Sequence, residues 1–123
     1  MALLSSLRFR DRREVRRVLN KGRRIETPLG RVSLLASERA AGRILFVVST
    51  RISKKSVRRH AIKRHLDEWV RLVAHELRGR DIIVMVRPDV GPITRSELLR
   101  RADAMVRVLG SFGVLADEPG RVK

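Results

Sequence analysis

The apolar positions of the chain follow a helical period first and a strand-like period next. The stretch 11–22, DRREVRRVLNKG, opens with an aspartate suited to cap a helix, has a glutamate three residues later, and closes with a glycine. Between these, Val15, Val18 and Leu19 recur at helical spacing. The pattern predicts a short helix whose outer face is covered with arginine.

Two short apolar runs follow, VSLLAS at 32–37 and RILFVVS at 43–49, joined by the turn-forming segment SERAAG. Runs of this length and composition are typical of β-strands. We predict that the two runs pair as an antiparallel hairpin, with a further short strand before them near residues 24–27.

The helical period returns over 56–77, where one stripe holds the apolar residues Ile62, Leu66, Trp69, Val70, Val73 and Leu77. This stripe predicts one long helix that ends near Gly79. The continuous apolar run DIIVMV at 81–86 predicts a strand that is covered on both faces and lies inside the sheet.

A last helix is predicted by a second capping-box pattern, Thr94 with Glu97, and it should end at Gly110. Its apolar stripe, which should pack on the sheet, consists of Leu98, Ala102, Met105, Val106 and Leu109. Residues 111–123 lack apolar periodicity and are predicted to form a flexible tail. The chain is therefore expected to be one α/β domain, a small sheet with helices packed on it, over residues 1–123.

The charge of the chain indicates a polyanionic partner. Of 123 residues, 29 are lysine or arginine and 13 are acidic, so the formal net charge is +16. Such an excess repels itself in a compact domain unless a polyanion neutralises it, which makes nucleic acid the expected partner. Most of the cations are arginine, whose planar guanidinium binds phosphate bidentately and stacks on bases.

The densest positive charge lies in KKSVRRHAIKR at 54–64, which we call the basic cluster. Its potential cations are Lys54, Lys55, Arg58, Arg59, His60, Lys63 and Arg64, and no acidic residue occurs between Arg51 and Leu66. Residues four apart lie one above the other on a helix, so two cationic rows should form beside the apolar stripe. A solvated helix face is the alternative, but like charges four apart destabilise a helix and favour an external anion.

The sequence gives little indication of a disulfide, a thiolate nucleophile, a metal site or a membrane-spanning segment. The chain has no cysteine, which removes disulfides and thiolate chemistry. His60 and His65 lack the spacing of a helix-face metal pair, and Asp67 and Glu68 are expected to be solvated or to pair with arginines. Trp69 is interpreted as a core residue, with stacking on RNA as the alternative role. Because nothing resembles a signal peptide or a membrane-spanning segment, we expect a cytoplasmic protein that does not associate with membranes.

Three segments of the chain resemble a known family in the right order. KKSVRRHAIKRHLDEW at 54–69 resembles the signature of the protein subunit of bacterial ribonuclease P, with its motif positions at Lys55, Ser56, Arg59, His60, Lys63 and Arg64. EVRRVLNKGRR at 14–24 resembles the family's first helix, and GRDIIVMVRP at 79–88 resembles its penultimate segment. The resemblance covers about residues 7 to 110, which would form the core of the domain. His60 replaces the usual asparagine, Lys54 a glycine and Val15 an aromatic residue.

The resemblance implies a fold and a reaction. The fold is an α+β two-layer sandwich with the order α-β-β-β-α-β-α, a small mixed sheet and a left-handed crossover. In the reaction, the catalytic RNA of ribonuclease P, with magnesium bound mainly by that RNA, removes the 5′ leader of precursor tRNA. The protein subunit would be non-catalytic alone. It would bind the catalytic RNA and the leader, favour magnesium binding, and need no obligate protein partner.

The same resemblance implies two sets of binding residues. The catalytic RNA would be bound by Arg51, Lys54, Lys55, Arg58, Arg59, His60, Lys63 and Arg64. The leader would lie in a cleft between the sheet and the long helix, lined by Arg12, Val15, Leu19 and Phe46. Phe46 has a role in the core as its alternative. No catalytic or metal-binding side chain is expected.

Three other classes of protein compete with this interpretation. A structural RNA binder, such as a ribosomal protein, shares the size and charge but not the three ordered segments. A protein-only nuclease requires clustered acidic ligands for metal ions, and the 13 acidic residues are not grouped in that way. A helix-turn-helix DNA reader requires a second short helix after a tight turn, where this chain is predicted to have one long helix.

Overall fold

The structure, a computed structural model, describes residues 11–36, 42–73 and 79–111. The elements in chain order are α1 (Arg12–Lys21), β1 (Arg23–Glu26), β2 (Gly30–Ala36), β3 (Arg43–Val47), α2 (Ser56–Val73), β4 (Arg80–Val86), a short 3-10 helix (Pro88–Val90) and α3 (Arg95–Ser111). The predicted order of helices and strands is confirmed. Predictions for residues 7–10, for the end of the long helix beyond Val73 and for the tail from 112 lie outside the described residues.

The four strands form one sheet in the order β1-β2-β4-β3. β2 is antiparallel to both β1 and β4, and β3 is parallel to β4. The predicted hairpin between the runs 32–37 and 43–49 is therefore wrong, because β4 lies between them. A strand that is apolar on both faces is buried best in the interior of a sheet, where both of its edges can also pair their backbone groups.

The main core lies between one face of the sheet and the helices α2 and α3. The strands contribute Ile25, Val32, Leu34, Ile44, Phe46, Ile82, Val84 and Val86. The helices contribute Ile62, Leu66, Trp69 and Val70 from α2 and Leu98, Ala102, Met105 and Leu109 from α3. These helical residues belong to the predicted apolar stripes of the two helices. Among the described residues of those stripes, only Val73 and Val106 are partly exposed.

Trp69 is a core residue, as predicted. It is 5% exposed, and its ring meets that of Phe46 edge to face at a centroid distance of 6.5 Å. The indole Nε1 donates a hydrogen bond of 2.8 Å to Asp103 Oδ1, which joins α2 to α3. A buried indole N–H requires such a partner.

Helix α1 packs on the opposite face of the sheet, against β2 and β4. Its Val18 is 1% exposed, and Ile83 of β4 is fully buried on the same face, since Ile82 and Val84 point into the main core. The helix ends at Gly22, where the chain turns tightly. A Cβ at this position would lie 2.4 Å from the Val18 carbonyl oxygen, so the turn requires glycine. α1 therefore has one buried stripe and a solvent-facing remainder.

Two charged contacts stabilise α1, one at its N-terminus and one to the sheet. The Asp11 carboxylate caps the helix by accepting the Arg13 backbone N–H at 2.8 Å, and this bond holds the pKa of Asp11 below its usual value. Glu14 accepts a hydrogen bond from Arg43 of β3. Arg43 is itself buried and donates to both oxygens of the neighbouring Asp81, at 3.0 and 2.7 Å. These bonds, led by those to Asp81, raise the pKa of Arg43.

No helix within the described ranges is long and apolar enough to cross a membrane.

Candidate nucleic-acid interface

The basic cluster lies at the start of α2 and in the loop before it. Because β3 and β4 are parallel, their carboxyl ends meet at one edge of the sheet, and the loop 48–55 leads from that edge to α2. Free backbone N–H groups at the start of a helix favour an anion. The first turn of α2 carries no acidic residue. The positive end of the helix dipole and the cationic side chains therefore lie at the same place, and both attract an anion.

The residues of this surface that project into solvent are Arg51, Lys54, Lys55, His60, Lys63 and Arg64. None of the six takes part in an ion pair with any residue in the part of the chain that the structure describes. Since Lys63 follows Arg59 by four residues and Arg64 follows His60 by four, the two predicted rows lie on α2 as expected. This face presents charge that the described protein does not neutralise.

Arg58 and Arg59 are half-buried and also support the loops around the cluster. Arg58 donates from Nε to the Gly91 carbonyl at 2.8 Å and from Nη2 to the Ile93 carbonyl at 2.7 Å. Arg59 Nη1 donates to the Ser53 carbonyl at 2.8 Å. Part of each guanidinium is thus engaged with backbone, so substituting either residue alters loop geometry as well as charge.

His65 of α2 adds no charge to the basic cluster. Burial lowers its pKa, and the nearby cations Arg95 and Arg64 lower it further. Its Nδ1 is buried and has no hydrogen-bond partner among the residues that the structure describes. The imidazole is therefore neutral at pH 7.

A groove of about 390 Å³ lies between α1 and the edge strand β3. It is lined by the predicted cleft residues Arg12, Val15 and Leu19, together with Arg16 and Leu45. The structure brings these predicted residues together, but against α1. The space between the sheet and the long helix is filled by the main core, so the expectation of a cleft there is wrong.

Phe46 is absent from this groove because it is 1% exposed and belongs to the main core. Its neighbour Leu45 points to the other face of the sheet and lines the groove in its place, since successive strand residues alternate between faces. The alternative role of Phe46, in the core, is the one that the structure supports.

A second cavity, of about 470 Å³, lies over the open end of the same sheet face. Its walls are formed by Glu26, Arg31, Val47, Ser49, Arg51, Met85, Val86, Arg87 and Pro88. Sequence reasoning missed most of these residues. The alternation of β4 offered a signal, because Ile83 and Met85 share a face and Met85, at 43% exposed, is left uncovered by α1.

The groove and the second cavity follow one another along β3. Leu45 lines the groove and Val47 lines the cavity, and strand residues two apart lie side by side on one face. Arg51 lines the cavity and begins the basic surface. The groove and the second cavity therefore lie one after the other along β3, on a path that leads from α1 towards the loop before α2.

Carboxylates of the described residues lie within ion-pair distance of three of the four arginines of α3, namely Arg95, Arg100 and Arg101. Arg101 lies 2.9 Å from Asp89 and 3.7 Å from Glu97, and Arg95 lies 4.0 Å from Glu68. Within residues 11–36, 42–73 and 79–111, no group of three or more histidine or acidic residues is placed to hold a metal ion.

Comparisons with known proteins agree with this architecture. The family model for ribonuclease P matches residues 3–110. The ribonuclease P protein component of Parasynechococcus marenigrum (strain WH8102) is 30% identical over 125 residues, which cover 89% of this chain and 98% of that relative.

Solved structures show the same fold. A mutant RNase P protein of Staphylococcus aureus with defective mRNA degradation activity superposes with a TM-score of 0.77 at 22% identity, covering 89% of this chain and 91% of that one. The RNase P protein from Thermotoga maritima gives a TM-score of 0.70 at 20% identity, covering 81% and 94% of the two chains. Because the family model spans most of the sequence and the Parasynechococcus marenigrum relative matches over nearly its whole length, this chain belongs to the ribonuclease P protein family, as a component of that holoenzyme.

Proposed function

We propose that this chain assists tRNA 5′ maturation by binding two RNA molecules on two of its surfaces. The basic cluster and Arg51 bind the catalytic RNA of ribonuclease P. The path from the α1 groove to the second cavity binds the single-stranded 5′ leader of precursor tRNA. Both RNAs are cytoplasmic molecules in bacteria, so the proposal includes a cytoplasmic location.

The observation that carries the proposal is the exposed and unneutralised charge at the start of α2. Six cationic or potentially cationic residues project there without an ion-pair partner among the described residues. Like charges this close are unfavourable unless an external anion lies against them. Each phosphate that they contact releases counterions and gives binding that weakens as salt is raised.

The shape and chemistry of the sheet face support the leader assignment. The groove has an apolar floor of Val15, Leu19 and Leu45, while Arg12 and Arg16 lie at its rim. A single strand can place bases on such a floor and phosphates at such a rim. The residues lining both cavities are aliphatic, small polar or charged, so base stacking would use arginine planes.

Magnesium, which the family resemblance implies, does not fit the side chains of this basic surface. Lysine and arginine offer only N–H donors, whereas magnesium takes oxygen ligands. The proposal therefore leaves the magnesium ions with the RNA. The protein would act on their binding only by neutralising phosphates that otherwise repel one another.

The experiment that tests the proposal is cleavage of a 5′-labelled precursor tRNA at low magnesium. The reaction is run with a matched ribonuclease P RNA alone, with the protein alone, and with both together. We expect efficient 5′ processing only when RNA and protein are combined. Cleavage by the protein alone would overturn its non-catalytic assignment, and binding of RNA without any rescue of cleavage would favour a structural RNA binder.

A further inference from the structure

A second group of cations lies on α1, apart from the basic cluster. Five of the ten residues of this helix are exposed cations: Arg12, Arg13, Arg16, Arg17 and Lys21. α1 packs on the sheet face opposite to α2 and α3. An RNA segment bound on the basic cluster therefore leaves the outer face of α1 uncovered.

Carboxylates neutralise little of this second group. Asp11 lies 3.5 Å from the Arg13 guanidinium, and Glu14 is engaged by the buried Arg43. For the other four cations of α1, no ion pair with any residue of the described ranges is found. Asp11 thus caps the helix and pairs with Arg13, and Glu14 is used for packing, so the charge of Arg12, Arg16, Arg17 and Lys21 has no carboxylate partner in the described residues.

The local energetics of α1 disfavour this arrangement unless an anion is present. Arg12 and Arg13 lie in the first turn, where the positive end of the helix dipole opposes cations. Arg17 lies four residues from both Arg13 and Lys21, and like charges at that spacing destabilise a helix. An external polyanion along the helix would reverse both effects.

The cations of α1 form two rows that differ in position. Arg12 and Arg16 lie at the rim of the apolar groove. Arg17 and Lys21 are exposed but do not line it, and they belong with Arg13 to the outer row. Successive members of a row are separated by about 6 Å along the axis, which is comparable to the step between phosphates of an extended single strand.

We propose that this outer row binds the backbone phosphates of the 5′ leader where the strand leaves the groove. The inference rests on the proposed function, because the leader must first occupy the groove. It assigns Arg17 and Lys21 to nucleotides farther from the cleavage site than those held at the groove. These contacts are made to phosphates and so do not depend on leader sequence.

The test compares precursor tRNAs with a long and a very short 5′ leader, bound by the assembled holoenzyme. The variant is Arg17→Ala/Lys21→Ala, which removes two charges, replaces them with the best helix former and leaves Val18 and the Arg43 contacts intact. The matched control is Arg100→Ala/Arg107→Ala, two exposed cations on α3. Thermal unfolding verifies that each variant is folded.

For the long leader, we expect binding by Arg17→Ala/Lys21→Ala to weaken by about 10- to 30-fold at 0.1 M salt. The salt slope should fall by about 1.4, since a single-strand phosphate contributes about 0.7. Binding of the short-leader precursor, assembly with catalytic RNA and the control variant should remain at wild-type values. Arg17→Lys/Lys21→Arg should restore long-leader binding, because a phosphate contact requires charge rather than a particular side chain.

Three results would overturn the inference. Unchanged long-leader affinity would mean that the outer row is only solvated. Equal losses for both leaders, or a loss in binding catalytic RNA alone, would place a different RNA segment on α1. Equal affinity of the wild-type holoenzyme for the long-leader and short-leader precursors would also exclude a leader contact of the outer row. Failure of the proposed function is distinguishable from all three, because the wild-type protein would then fail to rescue cleavage of either precursor.

Discussion

Helices α2 and α3 lie side by side on one face of the sheet, and both are rich in arginine, but their charges are used differently. On α3, Arg95, Arg100 and Arg101 each have a carboxylate within ion-pair distance. In the first half of α2 and the loop before it, no described cation has one. The difference lies in the acidic residues, because α3 has Glu97 in its first turn and α2 has none there.

The number of cations on a helix therefore does not identify a binding surface. Arg95, Arg100 and Arg101 of α3 have local anions, and such exposed pairs contribute a few tenths of a kcal/mol each. The cations in the first half of α2 lack such partners. An RNA phosphate can therefore pair with them without first breaking an existing ion pair. Binding surfaces are therefore recognised from unneutralised charge.

Reversal of charge on α2 should weaken RNA binding more strongly than any other substitution. We expect Lys63→Glu/Arg64→Glu to weaken binding of catalytic RNA by about 100-fold or more, because like charges at an interface cost several kcal/mol. Filter binding at 0.1 M salt measures this affinity. Arg100→Glu/Arg107→Glu on α3 is the control and should change it only slightly. Equal losses in the two variants would mean that net charge alone controls binding.

Sulfate should stabilise the free protein by occupying the same surface. At a sulfate concentration ten times its dissociation constant, stabilisation is about 1.4 kcal/mol, which corresponds to roughly 5 °C in Tm for a domain of this size. Melting is compared with chloride at equal ionic strength. We expect Lys63→Ala/Arg64→Ala to lose much of the increase. The same Tm in sulfate and chloride would argue against an anion site on α2.

Releasing the arginines of α3 should make α3 resemble α2. Asp89→Asn/Glu97→Gln removes the carboxylates that pair with Arg100 and Arg101. We expect non-specific RNA binding to strengthen by about three- to tenfold at low salt, with a salt slope steeper by about one for each new phosphate contact. The gain should disappear near 1 M salt, where screening is strong. Unchanged affinity at low salt would show that pairing does not mask α3.

The smallest effect concerns His65, which lies where α2 meets the start of α3. Its neighbours in the folded protein are Arg95, Arg64, Glu68 and Arg58. Because its pKa is lowered from 6.5, the unfolded chain takes up its proton first as pH falls. Proton uptake by the unfolded chain therefore lowers the free energy of unfolding progressively below pH 6.5, whereas His65 causes no such loss above that pH.

Denaturant unfolding at several pH values checks this prediction. We expect His65→Gln to lose less stability than the wild-type protein between about pH 6.5 and pH 5. His60→Gln, at an exposed position of the same helix, serves as the control. An identical pH dependence for His65→Gln and the wild-type protein would contradict the role of His65.

Much of the fold could be predicted from the sequence because local periodicity determines it. The three helices and four strands follow from apolar spacing and from caps such as Thr94, whose Oγ1 accepts the Glu97 backbone N–H at 3.1 Å. Strand order could not be predicted in this way. The runs 32–37 and 43–49 are neighbours in sequence, but β4 lies between them because its apolar faces and its two edges require burial and pairing.

The candidate site could also be predicted in part. The basic cluster is contiguous in sequence, so its charge is evident from the order of the residues alone. The two faces of β3 are not evident in that way, because RILFVVS is apolar almost throughout and carries no alternation to separate Leu45 from Phe46. The second cavity draws on β1, β2, β3 and β4, and no local pattern joins residues from four strands.

The order of the residues alone is enough to predict the number and type of elements, the excess of positive charge and the position of its densest cluster. These properties depend on residues within a few turns of one another. The packing of the elements on one another, in contrast, sets which cations are neutralised and where a groove remains open. Arg43 is paired because β3 lies beside Asp81, 38 residues away, whereas Lys63 is exposed without a partner in the described chain. Charge pairing is a contact between distant residues, and therefore it is decided by the fold.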